Sequence, residues 1–120
     1  MGFPKTVSDH YDNVAALGCL ITGNPWPTIH HVSGGSMKDH GYHSGMAQRG
    51  ISDALVIPIK ADHHVGEYGI DSGYGVDTWE KHFGTQWEHI QEVSKNVGYD
   101  LIKLHEHWLE NPPPKGKRRR

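Results

Sequence analysis

Histidine is the residue type that most distinguishes this chain, with 11 copies in 120 residues. Four of them form two adjacent pairs, His30-His31 and His63-His64, and His40 and His43 lie between the pairs. Because imidazole is a common transition-metal ligand and the usual general base near neutral pH, the pairs predict a metal site, an acid–base site or both. Four scattered histidines are predicted to lie at the surface: His10, His89, His105 and His107.

Short strands and a short helix are predicted to position the two pairs. Residues 19–21 and 28–32 are short apolar runs on either side of the turn-forming residues 22–27, which predicts a β-hairpin that ends at the first pair. Residues 55–59 are predicted to form a buried extended run, and residues 60–65 a short helix that presents the second pair.

A glycine-rich segment, residues 33–53, joins the two pairs. Its little apolar periodicity predicts a long loop, and a loop of this length in a compact domain is usually functional. Arg49 lies in this segment and is the only arginine before the last three positions. Since a guanidinium suits bidentate contact with phosphate, Arg49 is a candidate phosphate-binding residue.

Helices are predicted on both sides of this core. The first begins at Ser8 or Asp9, has Tyr11 on its packing face and ends at Gly18. A last helix begins at Tyr99. Two further helices begin at capping-box patterns, Asp77-x-x-Glu80 and Thr85-x-x-Glu88.

Length and composition predict a single domain over residues 1–111, followed by a proline-rich spacer and basic tail over residues 112–120. A single cysteine, Cys19, excludes an intramolecular disulfide. The first ten residues lack the features of a signal peptide, and no apolar run approaches the roughly 18 residues that span a bilayer. We therefore expect a cytoplasmic protein with no membrane role.

Basic residues are concentrated at the end of the chain. Five of the 12 lie in the last six positions: Lys115, Lys117, Arg118, Arg119 and Arg120. Such a tail, next to a body that carries the 14 acidic residues, is predicted to bind a phosphate backbone, and the prolines at 112–114 to hold it away from the domain. A solubilising tail is the alternative interpretation.

Ordered segments between residues 11 and 92 carry a family resemblance. They are residues 14–19, 28–32, 45–49, 52–59, 63–64, 78–80 and 83–85. In this order they resemble the HNH (ββα-metal) endonucleases, most closely the phage recombination-enhancement (Ref-like) HNH nucleases. The resemblance implies an α+β fold with a small ββα-metal (HNH/His-Me finger) core at about residues 19–66, flanked by N- and C-terminal helices.

The same resemblance implies a metal-dependent DNA endonuclease. Phosphodiester hydrolysis needs a base for water and a cation for the charge that develops on phosphate. Carried over by position, His31 is the general base, while His30 and His64 are metal ligands. Asp53 matches the middle position and is expected to orient His31, and Asp71 is a candidate third ligand.

Two points are left open by the resemblance. His63 competes with His64 for the role of helix ligand, and the ion is Mg²⁺ or Mn²⁺, although imidazole ligands also suit Zn²⁺ or Ni²⁺. Adjacent residues on a regular strand face opposite sides. His30 and His31 can therefore share a site only if their strand ends or is irregular there.

One motif departs from the family. Relatives hold a structural zinc with Cys-x-x-Cys and Cys-x-x-His, where this chain has Cys19-x-x-Thr22 and Lys60-x-x-His63. Since structural zinc needs four good ligands, we predict that this zinc is absent. The alternative is a rebuilt zinc site in which Cys19 is joined by two loop histidines, His40 and His43.

The implied partner is DNA, in the cytoplasm of a phage-infected or lysogenic bacterial host, with a homodimer or a recombination protein as further partners. Two other functions compete with this one. A catalytically inactive HNH-fold module would bind DNA without cutting it, and a histidine-rich metal-binding protein would have no role in nucleic-acid chemistry.

Overall fold

A computed structural model gives the fold over residues 2–32, 34–41 and 51–116, with only the backbone described at 51 and 52. It is an α+β protein with one two-stranded antiparallel sheet. The elements are α1 Val7–Ala15, β1 Thr28–His31, α2 Gly35–Asp39, α3 Ile51–Ala54, β2 Val56–Ile59, α4 Ala61–His64, α5 Gly75–Phe83, α6 Gln86–Val97 and α7 Leu101–Glu110. No helix within these ranges is long and apolar enough to cross a membrane.

The sheet pairs β1 with β2, in a register that sets His30 opposite Ile57 and His31 opposite Val56. Every residue of β2 is buried, which confirms the predicted buried run. The predicted hairpin is wrong, because residues 19–21 form a turn instead of a strand. They still reach the sheet edge, where the Leu20 N–H donates to the Pro58 carbonyl at 3.0 Å.

Helices cover the sheet and enclose the core. α1 packs on both strands, α6 packs on β2, and α7 packs on α3 and α6. The largest fully buried apolar side chains are Met37, Leu55, Ile57, Ile59, Ile70, Trp79, Ile90, Leu101 and Leu104. Since burying one large apolar side chain contributes about 1.5–3 kcal/mol, these residues hold the strands and helices in fixed relative positions.

The helix starts predicted from the sequence are confirmed only in part. The Thr85/Glu88 capping box is present at the start of α6. Asp77 lies inside α5, so the second predicted box is wrong. α1 begins after Thr6, whose hydroxyl accepts from the Asp9 N–H, rather than at Ser8 or Asp9.

The predicted loop over residues 33–53 is wrong at both ends, where α2 and α3 form. Positive φ angles of 68° and 47° at Gly34 and Gly35 turn the chain into α2. The Glu80 carboxylate then accepts from the Ser36 backbone N–H at 3.0 Å and from the Gln86 N–H at 2.7 Å. This joins the first turn of α2 to the start of α6. The predicted phosphate contact of Arg49 lies outside the described residues.

The proline-rich segment packs on the domain instead of extending from it. The carbonyls of Pro114 and Lys115 accept from the N–H groups of Val7 and Ser8, at 3.1 and 2.9 Å. These donors lie in the first turn of α1, where a helix has no internal acceptors for them. The prediction that the spacer holds the tail away is therefore wrong at Pro114 and Lys115. Residues 117–120 lie outside the described ranges.

Candidate metal and acid–base centres

His30 occupies a buried position on β1, with 1% of its side chain exposed. Its Nε2 lies 2.9 Å from the Gln86 Oε1, at the start of α6. An amide oxygen only accepts hydrogen bonds, so Nε2 carries the proton and Nδ1 is left with its lone pair. Burial lowers the pKa of His30, which keeps the ring neutral.

His64, at the end of α4, is held in the complementary tautomer. Its Nδ1 lies 2.9 Å from the Thr28 hydroxyl, and that hydroxyl donates to the Ile59 carbonyl at 2.8 Å. Because the only hydroxyl proton is already used, Thr28 accepts from Nδ1–H of His64. The Nε2 lone pair therefore faces away from Thr28, towards Asp71.

Asp71 closes the group from the loop after α4. Its Oδ2 lies 2.9 Å from the His64 Nε2 and 3.3 Å from the His30 Nδ1. The backbone N–H of Asp71 donates to the His64 carbonyl at 2.9 Å, which fixes the loop to the helix. Among the residues that the structure describes, His30, His64 and Asp71 form the one group of three candidate metal ligands.

These three side chains fit a divalent cation. The His30 Nδ1 is buried and has no hydrogen-bond partner of good geometry, although Asp71 lies near it. Unshared electron pairs repel one another at this distance unless a proton or a cation lies between them. Two atoms bound to one ion at about 2.1 Å lie about 3.0 Å apart at a right angle and about 3.4 Å apart in a tetrahedron. The two separations to the Asp71 Oδ2 match these values.

His63 lies elsewhere. Its Nδ1 is 3.1 Å from the Asp62 Oδ1, and its ring packs edge-on against Phe83 with centroids 5.0 Å apart. The structure therefore brings His64 rather than His63 next to His30, whose ring centroid lies 5.0 Å from that of His64.

His31, the next residue on β1, belongs to a second group. Its Nε2 lies 2.7 Å from the hydroxyl of Tyr11 on α1, and Tyr11 donates to the Asp53 Oδ1 at 2.9 Å. The direct distance from the His31 Nε2 to that carboxylate is 3.8 Å. Since 42% of the His31 side chain is exposed, this ring is open to solvent while that of His30 is not.

Asp53 is the negatively charged group next to His31. The adjacent His31, and then the Tyr11 hydroxyl and the Lys115 ammonium, lower the pKa of Asp53 to about 2 against the opposing effect of burial. Burial, and then the Asp53 charge, raise the pKa of Tyr11. Asp53 is therefore an anion at neutral pH, and Tyr11 keeps its proton.

A buried histidine braces this second group. His10 accepts from the Tyr99 hydroxyl at 2.8 Å through Nδ1 and donates to the Ala54 carbonyl at 3.0 Å through Nε2. Burial lowers the pKa of His10 to about 4, so the ring is neutral. The contact ties α1, which carries Tyr11, to α3, which carries Asp53.

Two of the scattered histidines lie in the core rather than at the surface. His10 is 0% exposed and His105 is 4% exposed, although both were predicted at the surface. The sequence patterns also gave no chemical role to Tyr11 or to Gln86. Both are polar residues on the packing face of a helix, which is a signal that a sequence can show. Their partners could not be found in this way, because His31 is 20 positions from Tyr11 and His30 is 56 positions from Gln86.

Cys19 is the first residue of the Cys19-x-x-Thr22 segment, where we predict that the structural zinc of the related nucleases is absent. Its Sγ accepts from the N–H groups of Ile21, Thr22 and Lys60, at 3.4, 3.4 and 3.1 Å. Burial alone would raise the pKa of the thiol, but hydrogen bonds from Thr22, Lys60 and Ile21 outweigh burial and lower it. No group of three candidate ligands in the described ranges includes Cys19, and His43 lies outside those ranges.

No protein-family model, curated protein or solved structure matches the chain. The interpretation of function therefore depends on the residue pattern and on the geometry of the two histidine centres. That geometry puts a candidate metal ligand and a candidate base at consecutive positions, at the end of one strand.

Proposed function

We propose that the protein is a metal-dependent DNA endonuclease of the HNH type, built on a ββα-metal core formed by β1, β2 and α4. The observation that carries the proposal is the pair His30-His31 at the end of β1. The two rings belong to different hydrogen-bond networks, and each network leaves one ring nitrogen without a proton. One strand end thus supplies both a ligand nitrogen and a base nitrogen.

His30, His64 and Asp71 would hold the cation in this proposal. Mg²⁺ or Mn²⁺ is the proposed working ion, and Zn²⁺ or Ni²⁺ also suits two imidazoles and one carboxylate. When bound, the ion supplies positive charge that stabilises the scissile phosphate and the departing 3′-oxygen. Gln86 and Thr28 keep the two imidazoles in the tautomers that direct lone pairs inward.

His31 takes the proton in the proposed reaction. Its unprotonated ring nitrogen removes a proton from water, the water oxygen bonds to phosphorus, and the bond from phosphorus to the 3′-oxygen breaks. The departing 3′-oxygen takes a proton from solvent, His31 returns its own proton to solvent, and the products are a 5′-phosphate and a 3′-hydroxyl. The Asp53 carboxylate, 3.8 Å away, offsets the positive charge of the ring while it holds that proton.

The basic tail is proposed to bind the DNA backbone beside this base. Lys115 lies 3.4 Å from the Asp53 Oδ2, and 81% of its side chain is exposed. The tail residues Lys117 and Arg118 to Arg120 follow it directly in the chain. Contacts to phosphate give affinity that is independent of sequence and falls with salt.

Supercoiled plasmid tests the proposal. We expect the purified protein to nick it in Mg²⁺ or Mn²⁺ and not in EDTA, and His31→Ala to lose nicking while it still binds DNA. His82→Ala, which removes an exposed histidine on α5, is the matched control and should cut like the parent. DNA binding without cleavage in any metal would contradict the proposal and favour the inactive DNA-binding module.

A further inference from the structure

The Tyr11 hydroxyl lies between His31 and Asp53, within hydrogen-bond distance of both. From this geometry we infer that Tyr11 is a positioning residue, which fixes His31 with its proton on Nε2 and leaves Nδ1 free to accept a proton from water. The inference rests on the proposed nuclease function, because it names the residue that prepares the base of that reaction.

Counting protons assigns the direction of each hydrogen bond. A tyrosine hydroxyl has one proton, and an ionised carboxylate has none to give. Tyr11 therefore donates to the Asp53 Oδ1 at 2.9 Å, and its oxygen must accept from the His31 Nε2–H at 2.7 Å. The lone pair of the neutral imidazole then lies on Nδ1.

The Asp53 carboxylate does not orient the His31 ring by a direct hydrogen bond. The distance of 3.8 Å from the His31 Nε2 to the Asp53 Oδ1 exceeds the range of a hydrogen bond. Lys115 faces the other carboxylate oxygen, Oδ2, at 3.4 Å and leaves Oδ1 to Tyr11. The orienting effect of Asp53 on His31 is thus passed through the tyrosine hydroxyl.

The position of Tyr11 is itself held by neighbours on both sides. His10, the preceding residue, donates to the carbonyl of Ala54, which follows Asp53 in the chain. The Pro114 carbonyl accepts from the Val7 N–H at the start of the same helix. The Tyr11 ring packs edge-on against His31, with centroids 5.8 Å apart. A hydroxyl held in this way needs no rearrangement to accept a hydrogen bond from the His31 Nε2–H.

Two tyrosine variants separate this role from simple packing. Tyr11→Phe removes the hydroxyl between His31 and Asp53. Tyr68→Phe is the matched control, because Tyr68 is 41% exposed and its ring packs on His63 and Tyr74, neither of which belongs to the His31 group. We expect Tyr11→Phe to lower kcat about 10- to 100-fold, the usual loss when the hydrogen-bond partner of a functional histidine is removed. KM should stay near the parent value, and Tyr68→Phe should keep the parent kcat.

A second measurement reads the tautomer directly and needs no cleavage. The ¹⁵N chemical shifts of the His31 ring, assigned by their absence in His31→Ala, are recorded in EDTA at a pH where the ring is neutral. The parent and Tyr68→Phe should show the Nε2–H form almost alone, and Tyr11→Phe should show a mixture with the Nδ1–H form.

An unchanged tautomer ratio or an unchanged kcat in Tyr11→Phe overturns the inference. The failure of the proposed function has a different signature, since a parent protein that cuts no DNA in any metal contradicts the nuclease. In that case the ¹⁵N spectra alone decide whether Tyr11 fixes the His31 ring.

Discussion

His30 and His31 are neighbours in sequence, yet their surroundings differ in almost every respect. The His30 ring is buried and faces His64 and Asp71 from the α4 side, with 1% of its side chain exposed. The His31 ring is 42% exposed and faces α1 and α3 through Tyr11 and Asp53. At the end of β1, two identical side chains thus have different chemistry, one suited to holding a cation and the other to accepting a proton.

The sharpest test of this difference compares one variant from each group. His31→Ala should lower the rate of DNA cleavage by about 10²- to 10⁴-fold, the usual contribution of a general base. Its affinity for Mn²⁺, measured by calorimetry, should match that of the parent. His64→Ala should lose both cleavage and Mn²⁺ affinity, since it removes one of three ligands. Loss of Mn²⁺ binding in His31→Ala would show that the two groups are not separate.

Low pH should destabilise the fold through His10, the buried histidine that ties α1 to α3 beside the His31 group. The pKa of His10 is lowered from 6.5 to about 4, so the folded state binds fewer protons than the unfolded state between these values. This contribution to stability is present above pH 6.5 and is lost as the pH falls towards 4, by about 3 kcal/mol.

Urea denaturation at several pH values measures this effect. His10→Gln should flatten the fall in the free energy of unfolding between pH 6.5 and 4, because the titrating ring is gone. His107→Ala, at an exposed position on α7, should keep the parent slope. Equal slopes in the parent and in His10→Gln would contradict a neutral, buried His10.

A smaller effect is expected from the buried amide behind His30. Gln86→Leu leaves the His30 Nε2–H without its acceptor, so we expect a loss of about 1–3 kcal/mol in the free energy of unfolding. The affinity for Mn²⁺ should fall about 10-fold, because the ring is no longer held in one tautomer. Gln91→Leu, at an exposed position on the same helix, is the matched control. Unchanged Mn²⁺ affinity in Gln86→Leu would argue against a ligand role for the His30 Nδ1.

The smallest effect belongs to Lys115. Its contact with Asp53 is solvent-exposed, so Lys115→Ala should change the free energy of unfolding by less than about 1 kcal/mol. If the ammonium binds a DNA phosphate, the slope of log affinity against log salt should fall by about one. Lys95→Ala, on α6, serves as the control, and an equal slope in both variants would remove Lys115 from the DNA-binding surface.

Local sequence patterns predicted the parts of the fold that depend on near neighbours. The apolar run that became β2, the short helix α4 and the Thr85/Glu88 capping box are all confirmed. Each is set by residues within a few positions of one another.

The errors involve partners that are distant in sequence. Residues 19–21 have a strand-like composition, but the Ile21 N–H donates to the Cys19 Sγ and the Cys19 N–H donates to the Asn24 carbonyl. The strand that pairs with β1 is β2 instead. The contact of Tyr11 with His31 spans 20 positions, and that of His30 with Gln86 spans 56. No periodicity encodes such pairs. The resemblance supplied the candidate ligands, the base and Asp53, whereas Tyr11 and Gln86, which also orient those rings, could not be selected from the sequence.

The most direct test of the central claim measures metal occupancy and DNA nicking in the same samples. Mn²⁺ is titrated into the protein, calorimetry gives the number of bound ions, and supercoiled plasmid reports cleavage at each concentration. We expect one ion to bind through His30, His64 and Asp71, and the rate of nicking to rise with the occupancy of this site. A fully occupied site without nicking, or equal nicking in EDTA, would contradict this expectation.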